Sequence, residues 1–225
     1  MIELVLARYR ENLFWLNQGI RRDIRLTVYN KSGVDVPGQI SLPNIPGSLE
    51  NFPYLYHMIH RYDTLEDWTF FAQAYPFDHV RNFREIFNYF PATIGKACLS
   101  PAPGVHFFVS EGDKTNQVEG WCYGVDWDKE ARDIFSQLFT CVDRLPEKMF
   151  FSPGPHFAAS RELLHTRTRL FYEKCLEVFL ARPIIPGATF QGANHTGEPQ
   201  PPSAWEWERV WQLIWDPQYT TFVRY

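Results

Sequence analysis

The sequence predicts a single α/β domain with a mostly parallel central sheet and helices on both faces. Residues 2–7 and 24–29 are short β-branched runs and 67–73 is an apolar run of strand length, while the segments between them carry apolar residues at helical spacing. No charged or low-complexity block divides the chain before residue 183, so one domain of 225 residues is the expectation. Strands and helices in alternation are the mark of βαβ units, whose strands pair in parallel beneath their crossover helices.

The first run, IELVLA (2–7), lacks helical spacing and reads as a strand. The second, IRLTVY (24–29), alternates apolar and polar residues before Asn30-Lys31-Ser32-Gly33. Between them, residues 11–18 contain Leu13, Trp15 and Leu16 and stop at Gly19, which predicts a short connecting helix. From Asn51 the period changes: Phe52, Leu55, Ile59 and Tyr62 fall on one helical face, with Pro53 near the start, where its missing N–H costs nothing. After the strand at 67–73, Val80, Phe83, Phe87 and Phe90 repeat at helical spacing until Pro91.

Further strands are predicted at 105–110 and 121–125, and a helix through Ala131, Ile134, Phe135, Leu138 and Val142, begun by Asp126 or Asp128. Residues 149–159 are apolar with a Pro-Gly-Pro break, and one long helix is expected from Ser160 to about Leu180, burying Leu164, Phe171, Cys175 and Val178. The stretch 183–202 is rich in proline and glycine and aperiodic, the composition of a loop or lid. A capping box of Ser203 and Glu206 then opens a final helix with Trp207, Val210, Trp211 and Ile214 on its apolar stripe.

Composition narrows the function classes. The 22 basic and 26 acidic residues give a formal charge of −4 with neither sign gathered in a run, so nucleic acid and anionic lipid have no electrostatic footprint. Cys98, Cys122, Cys141 and Cys175 lie far apart with no CxxC pair, which argues against a compact zinc site and for free thiols in a reducing compartment. Glu3 and Arg8 interrupt the first apolar segment, and no run of 18 apolar residues follows; a cytoplasmic protein without a transmembrane segment is expected. Aromatic residues make up 17% of the chain, enough for a large core and for a stacking site besides.

Ligands of open α/β sheets sit outside the carboxyl ends of the strands, where loops and helix N-termini converge. Three polar segments take that position: Ala7, Arg8, Tyr9 and Glu11 after the first strand, Asn30 and Lys31 after the second, and Gln73, Tyr75, Asp78 and His79 after the third. Asp78 and His79 together could bind a divalent ion or share a proton, although Asp78 could equally cap the helix that carries Val80 and Phe83. His57 and His60, three residues apart with no third ligand in view, read as a solvated helix flank. Asp126-Trp127-Asp128 has the spacing of a metal-binding Asp-x-Asp, or of two residues answering a helix dipole. Glu208 lies off the apolar stripe of the last helix, between tryptophans that would raise its pKa; it is the candidate general base, with a surface ion pair to Arg209 as the alternative. P-loop, GxGxxG, GxSxG and HExxH patterns are absent, which removes the usual support for NTPase, Rossmann dehydrogenase, α/β-hydrolase and zincin chemistry.

Six motifs in order, Leu-Ala-Arg-Tyr-Arg-Glu-Asn-Leu-x-Trp-Leu (6–16), Val-Tyr-Asn-Lys (28–31), Tyr-Leu-x-His (54–57), Phe-x-Gln-x-x-Pro-Phe-Asp-His (71–79), Phe-Ala-x-Ser-Arg (157–161) and Glu-Arg-x-Trp (208–211), resemble one domain-of-unknown-function family. That family is in turn distantly similar to GT-A-type glycosyltransferases. The resemblance implies a GT-A-like fold and sugar transfer from a nucleotide-sugar donor to a glycan or other hydroxyl acceptor. It further implies nucleotide contacts from the end of the first strand, an acceptor side formed by Phe157 to Arg161, and Glu208 as base in an inverting displacement. Gln73-Ala74-Tyr75 stands where such enzymes carry their metal-binding Asp-x-Asp, leaving Asp78 and His79 as substitute ligands for Mn or Mg, or a metal-free reaction. Arg10 replaces an expected asparagine, and 44–50 is longer than usual. The alternative is a non-catalytic domain that binds carbohydrate or protein and has lost that metal site.

Overall fold

The computed structural model describes residues 1–45, 48–92, 98–99, 104–108, 125–126, 129–140, 148–149 and 156–181, together with 207, 210–211 and 213–215. At its centre is a seven-stranded sheet in the order β3-β2-β1-β4-β9-β6-β5. The strands are β1 Ile2–Arg8, β2 Ile24–Asn30, β3 Ile40–Ser41, β4 Trp68–Gln73, β5 Cys98–Leu99, β6 Val105–Phe108 and β9 Phe157–Ser160. β7 Val125–Asp126 and β8 Lys148–Met149 form a separate antiparallel pair.

β1, β2, β3 and β4 are mutually parallel, whereas β9 runs antiparallel to both β4 and β6, and β5 runs antiparallel to β6. Five of the seven strands therefore point the same way, β9 and β5 being the exceptions. The expectation of a mostly parallel sheet holds in strand direction. In pairing it holds only for the β3-β2-β1-β4 half.

β1 sits between two parallel neighbours with both faces covered, which is why IELVLA reads as an unbroken apolar run apart from Glu3. Side chains of Val5, Ala7, Tyr29, Phe71, Phe107 and Phe157 project to one face. There they pack against α1 Asn51–His60, α5 Arg169–Leu180 and the helical residues Trp207 and Trp211. Leu4, Leu6, Val28, Phe70, Ala72 and Phe108 project to the other, against Trp15 and α2 Phe83–Tyr89. Helices thus cover both faces. Among the described residues no helix is long and apolar enough to cross a membrane.

Several boundaries differ from the sequence reading. The connection through Trp15 is only a 3₁₀ turn, Phe14–Asn17, and α2 begins at Phe83, with Val80 in the turn before it. The expected long helix from Ser160 is two helices, α4 Arg161–Leu164 and α5, each with its own cap. Leu163 N donates to Ser160 Oγ at 3.2 Å and Phe171 N to Thr168 Oγ1 at 3.2 Å, so the second cap restarts what periodicity alone had joined. Asp126 lies in β7 rather than capping α3 Lys129–Leu138, and Asp128 falls outside the described residues. The 183–202 loop, the capping box, most of the predicted 121–125 strand, and Cys122 and Cys141 also lie outside them; Cys175 is a buried free thiol.

Candidate functional site

The chain winds from β1 outward to β2 and β3, then returns across β1 to place β4 on its other side. The winding reverses between β1 and β4, and the crevice above such a point is open because the two connections leave in opposite directions. Ala7 is level with Gln73 and Arg8 with Asn30, so the three candidate segments do converge at one edge. Their roles differ. Arg8 Nε donates to Glu11 O at 3.0 Å and its Nη1 to Asn30 Oδ1 at 3.2 Å, while Tyr9 N donates to Glu11 Oε2 at 2.7 Å. Asn30 Nδ2 donates to Val34 O at 2.7 Å. Arg8 and Asn30 thereby hold the two loops against each other, and Ala7 is core.

One acid that the sequence left inside an overlong connection dominates the crevice. Glu50, immediately before α1, is buried; its Oε2 accepts from Gln73 Nε2 at 3.1 Å and its Oε1 has no hydrogen-bond partner among the described residues. Burial pushes its carboxyl above the usual range; the Gln73 hydrogen bond and the Lys31 charge pull it back, and Glu11 adds to the rise. Lys31 is itself buried, with Nζ donating to the carbonyl of Leu49. Leu49 has φ 40°, a left-handed conformation that leucine rarely adopts. Glu11, Lys31, Glu50 and Gln73 thus meet from four separate segments at the strand ends. A buried carboxyl with one oxygen unsatisfied can hydrogen-bond a ligand hydroxyl either as acid or as carboxylate.

On the other side of the β1 and β4 ends, the turns after them enclose a cleft of about 460 Å³ floored by Trp15 and Phe77 and edged by Phe14, Tyr75, Arg81 and Arg84. Trp15 Nε1 donates to Ala74 O at 2.7 Å, locking the two turns together. Asp78 and His79 lie exposed at the end of the 3₁₀ turn Pro76–Asp78. Asp78 makes no capping bond, and the residue preceding α2 is Asn82, so the cap reading is set aside. The His79 ring stands 5.5 Å from that of His156, which is wholly buried with neither nitrogen hydrogen-bonded. Burial, then the neighbouring His79, hold His156 well below its ordinary pKa. Among the described residues no three His, Cys, Asp or Glu side chains converge to hold a metal ion, so Asp78 and His79 do not complete a protein-only site for Mn or Mg.

His57 corrects another expectation. It is fully buried rather than solvated, because α1 packs on the sheet with this residue between Tyr29 of β2 and Glu3 of β1. Tyr29 Oη and His57 Nδ1 share a hydrogen bond of 3.1 Å, His57 Nε2 lies 3.6 Å from Glu3 Oε2, and Thr27 Oγ1 donates to Glu3 Oε1 at 2.6 Å. Burial, with Arg61 and Arg25 nearby, lowers His57 to about 3, and burial raises Glu3. His60 is exposed and stacks on Tyr56 at 3.8 Å.

Phe157 to Arg161 do not line an acceptor side. Phe157–Ser160 is a buried strand in mid-sheet, and Arg161 donates to Leu65 O at 2.7 Å and Asp67 Oδ1 at 2.9 Å, at the edge opposite the crevice. Glu208 lies outside the described residues. Its helical neighbour Trp211 donates through Nε1 to Asn51 Oδ1 at 2.7 Å, next to Glu50. In comparisons with known proteins, no family model, curated protein or solved structure matches the chain.

Proposed function

We propose that the chain is a glycosyltransferase that takes its sugar from a nucleotide-sugar donor held in the β1–β4 crevice. The observation that carries this reading is the gathering of Glu11, Lys31, Glu50 and Gln73 at the point where the winding reverses, with a buried carboxyl oxygen that has no hydrogen-bond partner among the described residues. At the strand ends, where ligands of open α/β sheets bind, a polyhydroxylated ligand supplies that partner. The mixed sheet with helices on both faces is compatible with a GT-A-like fold, and the Trp211–Asn51 bond supports a crevice bordered by the last helix.

In this reading the acceptor hydroxyl gives its proton to the Glu208 carboxylate as its oxygen forms the bond to the anomeric carbon. The bond from that carbon to the donor phosphate breaks, and the nucleoside diphosphate leaves with the electron pair. Glu50 and Gln73 orient donor hydroxyls, and Arg8 and Asn30 fix the loops that close around the nucleotide. No step is routed through a metal.

Melting temperature with a panel of nucleotide sugars, each with and without Mg²⁺ or Mn²⁺, tests the reading, because a ligand bound only by the folded state raises it. The expected result is a rise with one donor, and transfer lost in Glu208→Gln. A rise with donor but unchanged transfer in that variant removes Glu208 as base. No rise with any donor removes the transferase and leaves a non-catalytic binding domain, the reading favoured by Gln73-Ala74-Tyr75 at the end of β4.

A further inference from the structure

The α2-side cleft is built unlike a piece of core. Phe14, at its rim, is 70% exposed and Tyr75 45%; Tyr75 meets Phe77 at 5.2 Å, and Phe77 in turn meets Trp15 edge-on at 5.3 Å. Two guanidinium groups flank these rings. Arg84 lies 5.5 Å over the Phe77 ring and donates through Nη2 to Gln18 Oε1 at 3.3 Å, while its buried Nε has no partner. Arg81 is exposed and engages no partner among the described residues. Among the described residues no acidic side chain lines the cleft, in a chain whose formal charge is −4.

Open aromatic faces, side-chain amides from Asn12 and Gln18, and paired arginines match one ligand chemistry. Aromatic faces stack on sugar rings, amides serve hydroxyls as both donor and acceptor, and guanidinium forks bind carboxylates in pairs of hydrogen bonds. We propose that this cleft binds an acidic glycan, a saccharide bearing carboxylates. The binding stands independently of the proposed transfer, because the cleft lies on the α2 face of the sheet and Glu50 on the α1 face. The cleft volume accommodates a short oligosaccharide, within the usual range of ligand sites of about 300–1,000 Å³.

Titration calorimetry of the full chain, without nucleotide sugar, separates this from the donor reading. The probes are trigalacturonate, neutral maltotriose and an aspartate-rich peptide. Saturable binding of trigalacturonate at least about tenfold tighter than of either other probe is expected, weakening as salt rises. Arg81→Ala and Phe14→Ala remove exposed side chains, keep the melting temperature, and are each expected to weaken trigalacturonate about tenfold, the effect of losing a charge-assisted hydrogen bond or a stacking face. Equal affinity for maltotriose overturns the acidic assignment, and equal affinity for the peptide overturns the saccharide one. No saturable binding, or wild-type affinity in both variants, overturns the site. A donor-induced melting rise with no trigalacturonate binding rejects this cleft alone, and the converse rejects the transferase alone.

Discussion

Helix α1 buries an acid near each of its ends against the same face of the sheet, and the two differ in place. Near its carboxyl half, Glu3 is enclosed with Thr27, His57 and Tyr29 in a column closed by the sheet and the helix. At its amino end, Glu50 lies at the strand ends beside Gln73 and Lys31, next to a residue in a left-handed conformation. Each acid keeps one buried oxygen without a hydrogen-bond partner among the described residues, Glu3 Oε2 and Glu50 Oε1; the one shut inside the core is assigned to the architecture, and the one at the strand ends, where ligands of such sheets bind, to a ligand. The difference between the two acids is therefore a difference between stability and function, and it can be broken experimentally.

The largest effect is expected from pH. His57 is lowered from 6.5 to about 3, so the folded state resists its protonation. The contribution of the neutral imidazole is complete above pH 6.5 and is lost as pH falls toward 3. His57→Phe is expected to flatten that acid limb in melting curves; an unchanged limb overturns the sealed column. Glu50 runs the other way: raised above 4.5, its contribution is complete below that pH and is lost as pH climbs. Glu50→Gln is therefore expected to lose less stability than the parent as pH rises above 4.5.

Next comes Glu3→Ala, which strands the Thr27 hydroxyl and leaves a void beside His57, and is expected to cost about 3 kcal/mol in urea denaturation while the folded fraction keeps its ligand affinity. Glu50→Gln should invert that pattern, with stability within about 1 kcal/mol of the parent at neutral pH and donor affinity down about tenfold. Were Glu3→Ala to lose affinity or Glu50→Gln to lose only stability, the contrast between the two ends would collapse. The smallest effect is expected from Trp15→Phe, which keeps the aromatic floor but removes the bond to Ala74 O, at about 1 kcal/mol in the same denaturation experiment.

β2 was legible from its alternation, β1 and β4 as apolar runs of strand length bounded by polar turns, and α1 from its period of about 3.6. β9 was not, since Phe-Ala-Ala-Ser is buried on both faces and offers no alternation to separate it from the apolar run before it. The Thr168 cap was hidden inside a continuous helical stripe for a similar reason. Of the site, Arg8, Glu11, Lys31 and Gln73 could be read because they follow strands. Glu50 precedes a helix and reaches the crevice only because α1 runs back across the sheet, a tertiary fact with no local signal. His156 is legible only once β9 is known, since its place depends on that strand's pairing with β4 and β6. The burial of His57 had a signal in hindsight: it lies between Met58 and Tyr56, two residues from Leu55, on a helix covered along most of its length.

The insertion of β9 between β4 and β6 also sets an order of assembly. Every crevice residue from Arg8 to Gln73 belongs to the first third of the chain, and β1, β2 and β4 pair without help from anything later. The other half of the sheet cannot close until β9 arrives, because β6 is joined to β4 in the hydrogen-bonded ladder only through it. Closing that long loop is the slow entropic step, so the donor-side crevice belongs to the early-formed part of the molecule and the β9–β6–β5 half to the late one. During synthesis, the nascent chain would carry a shaped crevice, with β4 as an open edge, before its sheet is whole.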